Sequence, residues 1–175
     1  MIGDDTVAIR LLLAAVAGAV LGFERELKDR PAGLRTHILV ASGAALFALV
    51  SAYGFQDVIA GSGPLSQGQG AAIRADVTRV ASQIVVGIGF IGAGTIIRYK
   101  GRVRGLTTAA SLWIAAAAGL AAGLGYWVGV GVAVGISLLS LAVLKPLEEW
   151  LARRQVDGRG TNPGPLLDDE DDEAR

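Results

Sequence analysis

The sequence contains no cysteine and a single histidine. Without thiols the chain can form neither disulfides nor thiolate metal sites, and one histidine cannot supply the usual zinc ligand clusters. The catalytic motifs H-E-x-x-H and G-x-S-x-G are also missing. These absences predict that the protein is not an enzyme. The 16 basic and 16 acidic residues cancel, so the net charge does not favour nucleic-acid binding.

Charged residues are missing from four long segments, residues 11–23, 36–56, 80–97 and 105–144. Stretches of about 18 or more apolar residues are typical of membrane-spanning helices, because about 20 residues at a rise of 1.5 Å cross the hydrocarbon layer. The last segment is long enough for two crossings, with a turn at residues 123–125. The first becomes long enough if it begins at residue 7, with Arg10 snorkelling to the interface.

We therefore predict an all-α, polytopic membrane protein. It is a bundle of about five transmembrane helices, which lie at residues 7–23, 36–54, 77–97, 107–123 and 126–144. Residues 1–150 form this transmembrane domain. Residues 151–175 form a disordered acidic tail, because a segment with six consecutive acidic residues near its end cannot form a hydrophobic core.

The distribution of lysine and arginine predicts the orientation. Thirteen of these residues lie after helix 1, after helix 3 or after helix 5, and three lie on the opposite side. Because basic residues concentrate in cytoplasmic segments, the N-terminus is predicted outside and the C-terminus in the cytoplasm.

The stretch GIGFIGAG at residues 87–94 has the G-x-G-x-x-G spacing of a dinucleotide-binding turn. That turn needs an acidic residue about 20 positions further on, and no Asp or Glu occurs between Asp76 and Glu148. We interpret the glycines as helix-packing residues, since small side chains let membrane helices approach closely. On this reading helix 3 is the Gly-rich central helix; a broken helix that lines a substrate path is the alternative. The predicted helix-packing residues are Gly87, Gly89, Gly92, Gly94, Gly119 and Gly123.

Three motifs carry a family resemblance: ERELKDRPAGLRTHILVASGAALF at residues 24–47, DVTRVASQIVVGIGFIGAGTII at 76–97 and RGLTTAASLWIAAAAGLAAGLG at 104–125. In sequence and order they resemble the MgtC/SapB family of bacterial membrane proteins, and specifically its short, SapB-like branch without the C-terminal soluble domain. The resemblance implies a multi-pass protein of the bacterial inner membrane with its N-terminus outside. It also implies roles in magnesium limitation, acid stress and virulence, and restraint of the F-type ATP synthase.

Two carboxylates, Glu24 and Glu26, lie at the C-terminus of helix 1, where they oppose the helix dipole. Four interpretations remain open. The charges are solvated at the interface, or Glu24 forms an ordinary ion pair with Lys28 four positions on, or they join an ionic cluster with Arg25, Arg35 and Arg104, or they bind a metal ion such as magnesium. The last is disfavoured because hard cations want several oxygen ligands. Apart from this possible magnesium, no cofactor is expected.

A polar stripe is predicted at the outer end of helix 3, where Asp76, Arg79 and Gln83 share one face at i, i+3 and i+7. Such a stripe is expensive in a membrane helix unless it faces protein or water. It therefore indicates either a structural network or a hydrated pathway.

The cytoplasmic end of helix 4 carries three hydroxyl side chains, Thr107, Thr108 and Ser111. They could cap the helix or bond back to its carbonyls, or they could contact helix 3 or a partner subunit. His37, just inside helix 2, could sense cytoplasmic acidification, although a lone interfacial histidine is usually uninvolved.

Two functions fit these features. The first is a non-enzymatic regulator in magnesium homeostasis and stress adaptation, which acts in the lipid bilayer by docking onto other membrane proteins such as the membrane sector of the ATP synthase. The alternative is a transporter or channel for magnesium or another cation, with helix 3 lining the path. Homo-oligomerisation is compatible with both functions.

Overall fold

The structure is a computed structural model that describes residues 2–54, 77–99 and 102–144. Five α-helices follow one another along the chain: α1 (Asp4–Leu27), α2 (Leu34–Leu49), α3 (Val77–Thr95), α4 (Leu106–Leu124) and α5 (Trp127–Leu139). Helices α2 and α5 continue as short π-helical segments, Val50–Gly54 and Ser140–Leu144. The chain divides into two compact units, Met1–Leu141 and Ala142–Arg175, and the five helices lie in the first. The predicted acidic tail and Asp76 lie outside the described residues.

The helices have the length and surface of a membrane protein. Asp4–Leu27, Leu34–Gly54 and Leu106–Leu124 are long and apolar enough to cross a bilayer, while Arg79–Thr95 and Trp127–Ala142 are shorter apolar helices. Large apolar side chains point outward on every helix, and Phe90 is 84% exposed. In water such a surface would aggregate, whereas lipid tails solvate it. The predicted all-α membrane fold is confirmed, and the count of five spans stays a prediction.

The centre of the bundle is built from small residues of α1, α2 and α4. The buried core consists mainly of alanines, among them Ala14, Ala41, Ala45, Ala115 and Ala122. Since alanine and glycine carry almost no side chain, the helix backbones come into direct contact.

The closest approaches between one helix backbone and another lie at the glycines of α1 and α4. A Cβ atom placed on Gly119 would overlap the carbonyl oxygen of Ala41, and one on Gly123 would lie 2.5 Å from the carbonyl oxygen of Ala45. Gly18 approaches the backbone of His37 in the same way from α1. These three glycines hold α1 and α4 directly against α2.

Helix α3 lies at the edge of the bundle, so the prediction that it is central is wrong for the described chain. It packs mainly on α4, where Gly92 faces Ala109 and Ile88 joins Leu112 in a buried cluster. Cβ atoms placed on the predicted packing residues Gly87, Gly89 and Gly94 would meet no atom within 4 Å. The centre forms elsewhere because α2 presents alanines to the glycines and alanines of α4.

A β-hairpin joins α3 to α4, where the sequence predicted only a basic link. Strands β1 (Ile97–Tyr99) and β2 (Arg102–Arg104) pair antiparallel, with Ile97 opposite Arg104. Helix α3 therefore ends at Thr95, before its predicted end. The chain enters α4 through Gly105, whose φ of 89° lies in the left-handed region that favours glycine. A Cβ atom at Gly105 would also overlap the carbonyl oxygen of Thr95, so the hairpin geometry needs glycine there.

Candidate functional site

The most polar part of the bundle interior lies where the C-terminal end of α1 meets the N-terminal ends of α2 and α4. Arg25 is only 4% exposed, and its Nη2 donates to Thr108 Oγ1 over 2.6 Å. Arg25 points inward because it follows Gly18, Leu21 and Gly22 along one face of α1, at the spacing of a helical stripe. A guanidinium in this position ties α1 to α4 across the bundle.

His37 is the centre of this network and is completely buried. Its Nδ1 lies 2.9 Å from the carbonyl oxygen of Gly33, and its Nε2 lies 3.1 Å from Ser111 Oγ. The Ser111 hydroxyl also lies 2.9 Å from the carbonyl oxygen of Thr108. These bonds link the first turn of α2 to the first two turns of α4. We define the Arg25 network as Arg25, Gly33, His37, Thr108 and Ser111.

The acceptors fix how protons are arranged around His37. A carbonyl oxygen can only accept, so Nδ1 carries a proton and donates to Gly33. Ser111 has one hydroxyl proton, which it gives either to Nε2 of a neutral ring or to the Thr108 carbonyl. In the second arrangement Nε2 must itself donate to Ser111, and the ring is an imidazolium. The same heavy-atom geometry thus accommodates both protonation states.

The turn between α1 and α2 is shaped by Glu26. Its Oε2 accepts from the backbone N–H of Leu34 over 2.9 Å, which satisfies one of the free amides at the start of α2. The turn reverses through Asp29 and Ala32, both with positive φ. A Cβ atom on Gly33 would overlap the Glu26 carboxylate, so only glycine leaves room for this contact. The turn thereby sets the position of the Gly33 carbonyl that His37 binds.

Glu24, unlike Glu26, forms an ion pair at the C-terminal end of α1, with Lys28 one turn further along. The Lys28 Nζ lies 2.5 Å from Glu24 Oε1 and 3.2 Å from the carbonyl oxygen of Leu141. The second carboxylate oxygen of Glu24 and the Nε of Arg25 are buried and lack a hydrogen-bond partner among residues 2–54, 77–99 and 102–144.

The two carboxylates proposed as metal ligands are not brought together. Glu24 and Glu26 are two positions apart on one helix and therefore face different directions, and each has its own protein partner. The part of the chain that the structure describes contains no group of three or more His, Cys, Asp or Glu side chains able to hold a metal ion. A hard cation needs more oxygen ligands than either carboxylate offers here.

The other predicted residues divide between the network and the surface. Of the proposed ionic cluster, Arg25 is buried, while Arg35 and Arg104 are exposed. Of the three hydroxyls of α4, Thr108 and Ser111 are buried in the network and Thr107 is exposed.

The polar stripe of α3 lies on a groove rather than inside the bundle. Arg79 and Gln83 are exposed and line a groove of about 740 Å³ between α2, α3 and α4. Asp76 lies outside the described residues.

A second polar contact, at the opposite end of the bundle, involves Arg10. Its Nη1 donates to the carbonyl oxygen of Gly123 over 2.8 Å and to the hydroxyl of Tyr53 over 3.1 Å. The guanidinium also lies 5.4 Å from the centre of the Tyr53 ring. Since Gly123 lies in the last turn of α4, the positive charge also complements the helix dipole. Arg10 therefore joins α1, α2 and α4, and its expected position at the membrane interface stays a prediction.

Sequence reasoning gave too little weight to His37 and Arg10, although each carried a positional signal. His37 precedes the buried Ala41 by one helical turn, and Arg10 precedes the buried Ala14 by the same interval. Residues four apart share a helix face. Both polar side chains therefore begin the small-residue faces that pack inside the bundle.

Comparison with known proteins identifies the family. The model of the MgtC family matches residues 11–150, which include all five helices except the first turns of α1. The chain belongs to the MgtC family. It is 44% identical over 139 residues to the protein named "Putative magnesium transporter YhiD" of Escherichia coli (strain K12), covering 79% of this chain and 60% of that protein.

Two further relatives are matched over different shares of their own length. Protein SrpB of Synechococcus elongatus is 37% identical over 179 residues, which cover 95% of this chain and 92% of SrpB. Protein MgtC of Salmonella typhimurium is 46% identical over 111 residues, which cover 63% of this chain and 40% of that protein. The match thus spans about three fifths of the E. coli protein and about two fifths of MgtC. No solved structure matches this chain.

Proposed function

We propose that this protein is a non-enzymatic membrane regulator in magnesium homeostasis and stress adaptation, which acts by docking onto other membrane proteins. Membership of the MgtC family supports the membrane role. The name of the E. coli relative supports the link to magnesium. The proposed location is the bacterial inner membrane, with the N-terminus outside and the C-terminus in the cytoplasm, as the distribution of basic residues predicts.

Two arginines, the part-buried Arg10 and the buried Arg25, carry the argument against an ion path through the bundle. Arg10 lies near one end of the α1–α2–α4 core and Arg25 near the other, and both donate to oxygen atoms of neighbouring helices. A divalent cation needs oxygen ligands free to bind it, and it would be repelled by a guanidinium at each end. Within the described residues, the interior is therefore arranged to hold helices together rather than to conduct Mg²⁺.

Docking is supported by the outward faces of the helices. Gly131 and Gly135 of α5 have open space where a side chain would lie. A partner helix could approach the backbone closely at these positions, which is how membrane helices associate without a hydrophobic driving force. The partners proposed are a second copy of this chain and, from the family resemblance, the membrane sector of the F-type ATP synthase.

A transporter is the second candidate, favoured by the name of the E. coli relative. In this case the path would follow the groove beside α3, where Arg79 and Gln83 are the polar lining residues.

Ion flux into liposomes separates the two functions. We expect the purified protein to leave magnesium and proton fluxes at the level of empty liposomes, because the described interior holds no free oxygen cluster. Flux that Gln83→Leu abolishes would instead establish transport along α3. The exposed Val132→Leu variant on α5 is the matched control, since it changes neither the groove nor the buried network.

Photocrosslinking in native membranes tests the docking mechanism. A photoreactive residue in place of Phe90 on α3 or Val132 on α5 faces outward, because these side chains are 84% and 55% exposed. We expect reproducible crosslinks to a subunit of the ATP synthase membrane sector. Crosslinks only to a second copy of the chain would count against regulation by docking.

The proposed orientation can be tested in the same membranes, because the native chain has no cysteine. Asp4→Cys should react with an impermeant maleimide added outside, and Arg102→Cys should react only after the membrane is opened. The reverse pattern would contradict the proposed topology.

A further inference from the structure

The groove between α2 and α3 exists because small residues face it from both sides. Gly43 of α2 and Gly87 of α3 line it, and a Cβ atom on either would meet no other atom within 4 Å. Ala44 and Ala116 form its floor. Helix α3 packs on α4, and the groove between α3 and α2 stays open toward the side of the bundle.

The polarity of the groove changes along its length. Arg79 and Gln83 lie toward one end, and the remaining lining is apolar, with Leu39, Phe47 and Ile91 among the side chains. The lining residues of α3 run from Arg79 to Ile91, which are twelve positions apart and so span about 18 Å at 1.5 Å per residue. One leaflet of the hydrocarbon core is about 15 Å thick, half of the full layer. The groove as a whole, from Arg79 at its polar end to Ile91, therefore has about the depth of a single leaflet.

From this match we propose that the groove binds one anionic phospholipid, with an acyl chain between α2 and α3 and the phosphate on Arg79. Arginine suits the headgroup because its planar guanidinium can donate two parallel hydrogen bonds to phosphate oxygens. Gln83, one turn deeper than Arg79, supplies an amide below the phosphate. This site is separate from the Arg25 network and does not depend on the proposed regulatory function.

A lipid fits this groove better than a helix of a protein partner. An apolar transmembrane helix would fill the space beside Gly43 and Gly87 but would offer no countercharge to Arg79. A phospholipid has a negative phosphate at one end of an acyl chain that spans about one leaflet. The groove likewise has the Arg79 guanidinium at one end of its apolar lining. Charge complementarity therefore selects the lipid.

Native mass spectrometry of the detergent-purified protein tests the proposal. The protein is titrated with phosphatidylglycerol or with phosphatidylcholine of the same acyl chains. We expect one phosphatidylglycerol to bind at about tenfold lower concentration than phosphatidylcholine, a ratio that corresponds to 1.4 kcal/mol. Arg79→Leu should remove this preference, and Arg79→Lys should retain part of it.

Filling the groove gives an independent test with a matched control on the same helix. Gly87→Leu places a side chain in the groove and should weaken the binding of both lipids at least tenfold. Gly89→Leu makes the same substitution two residues away, also into open space but outside the groove lining, and should bind like the parent. Circular dichroism of each variant checks that helix content is unchanged.

A fluorescence measurement tests lipid binding without filling the groove. Phe47→Trp puts an indole at the groove wall, and brominated phosphatidylglycerol should quench it more strongly than brominated phosphatidylcholine. Equal quenching, a lipid preference that survives Arg79→Leu, or unchanged lipid binding in Gly87→Leu would each overturn the proposal. So would a native dimer that Gly87→Leu dissociates while lipid binding stays unchanged, because the groove would then hold a helix of the second copy.

Discussion

The contact between α2 and α4 at Gly119 makes the packing of this bundle directly testable. In Gly119→Ala the new methyl carbon would lie 2.7 Å from the carbonyl carbon and 2.8 Å from the Cα of Ala41, and closer still to the carbonyl oxygen. All three are backbone atoms, so no side-chain rotation can relieve the overlap. Because carbon atoms pack best at about 3.5–4.0 Å, the two helices must separate locally by about 1 Å.

The cost of this separation follows from the surrounding contacts. Overpacking a tightly packed core by one methyl group typically costs about 1–3 kcal/mol. Gly123, one turn along α4, loses its close approach to Ala45 at the same time. The better helix propensity of alanine offsets little of this, because membrane helices remain largely helical in detergent-unfolded states. We therefore expect Gly119→Ala to lower the free energy of unfolding by about 1–3 kcal/mol.

The measurement is reversible unfolding by dodecyl sulfate in mixed micelles, followed by tryptophan fluorescence. Gly43→Ala is the matched control, because it makes the same change on the opposing helix α2 at a site with no atom within 4 Å of the new methyl group. It should change stability by less than about 0.5 kcal/mol. Equal stabilities of the two variants would show that α2 and α4 do not touch at Gly119.

Three further substitutions and one ligand test probe the polar contacts and the turn. Ser111→Ala leaves the buried Nε2 of His37 without its partner and should cost about 1–3 kcal/mol in the same assay. Arg10→Leu removes the donor to Gly123 and should cost a similar amount, about 1–3 kcal/mol. Gly105→Ala forces a left-handed φ on alanine and should destabilise by more than about 1 kcal/mol. Added magnesium should leave the unfolding midpoint unchanged, whereas a site filled at 100 times its Kd would add about 2.7 kcal/mol.

The substitutions at Ser111 and Arg10 each have a control in the same region. Thr107→Ala removes an exposed hydroxyl of α4 and should be nearly neutral, and Tyr53→Phe removes only one of the acceptors of Arg10. A cost for Thr107→Ala equal to that for Ser111→Ala would contradict the buried position of Ser111. A shift of the midpoint with magnesium would show that the chain binds the ion after all.

The membrane fold could be predicted from the charge-free runs for two reasons. The bilayer sets the minimum length of a spanning segment, and the lipid tails offer no hydrogen bonds to its backbone, so the segment must form its own. The predicted packing residues Gly119 and Gly123 likewise pointed to helix contacts, and the structure places both glycines against α2. The hydroxyls Thr108 and Ser111 were recognised as candidates, but their partners Arg25 and His37 lie 83 and 74 positions away in the chain.

What the sequence by itself determined is that several apolar helices cross a membrane and that they carry small residues for packing. Only the tertiary structure decided which faces meet, because helices that are apolar all around carry no strong periodic signal of their inward side. It placed the Gly-rich α3 at the edge, with a groove beside it, buried Arg25 and His37, and held Arg10 against the last turn of α4. Those placements depend on the rotation of each helix about its axis, which backbone contact between distant segments fixes and local sequence does not.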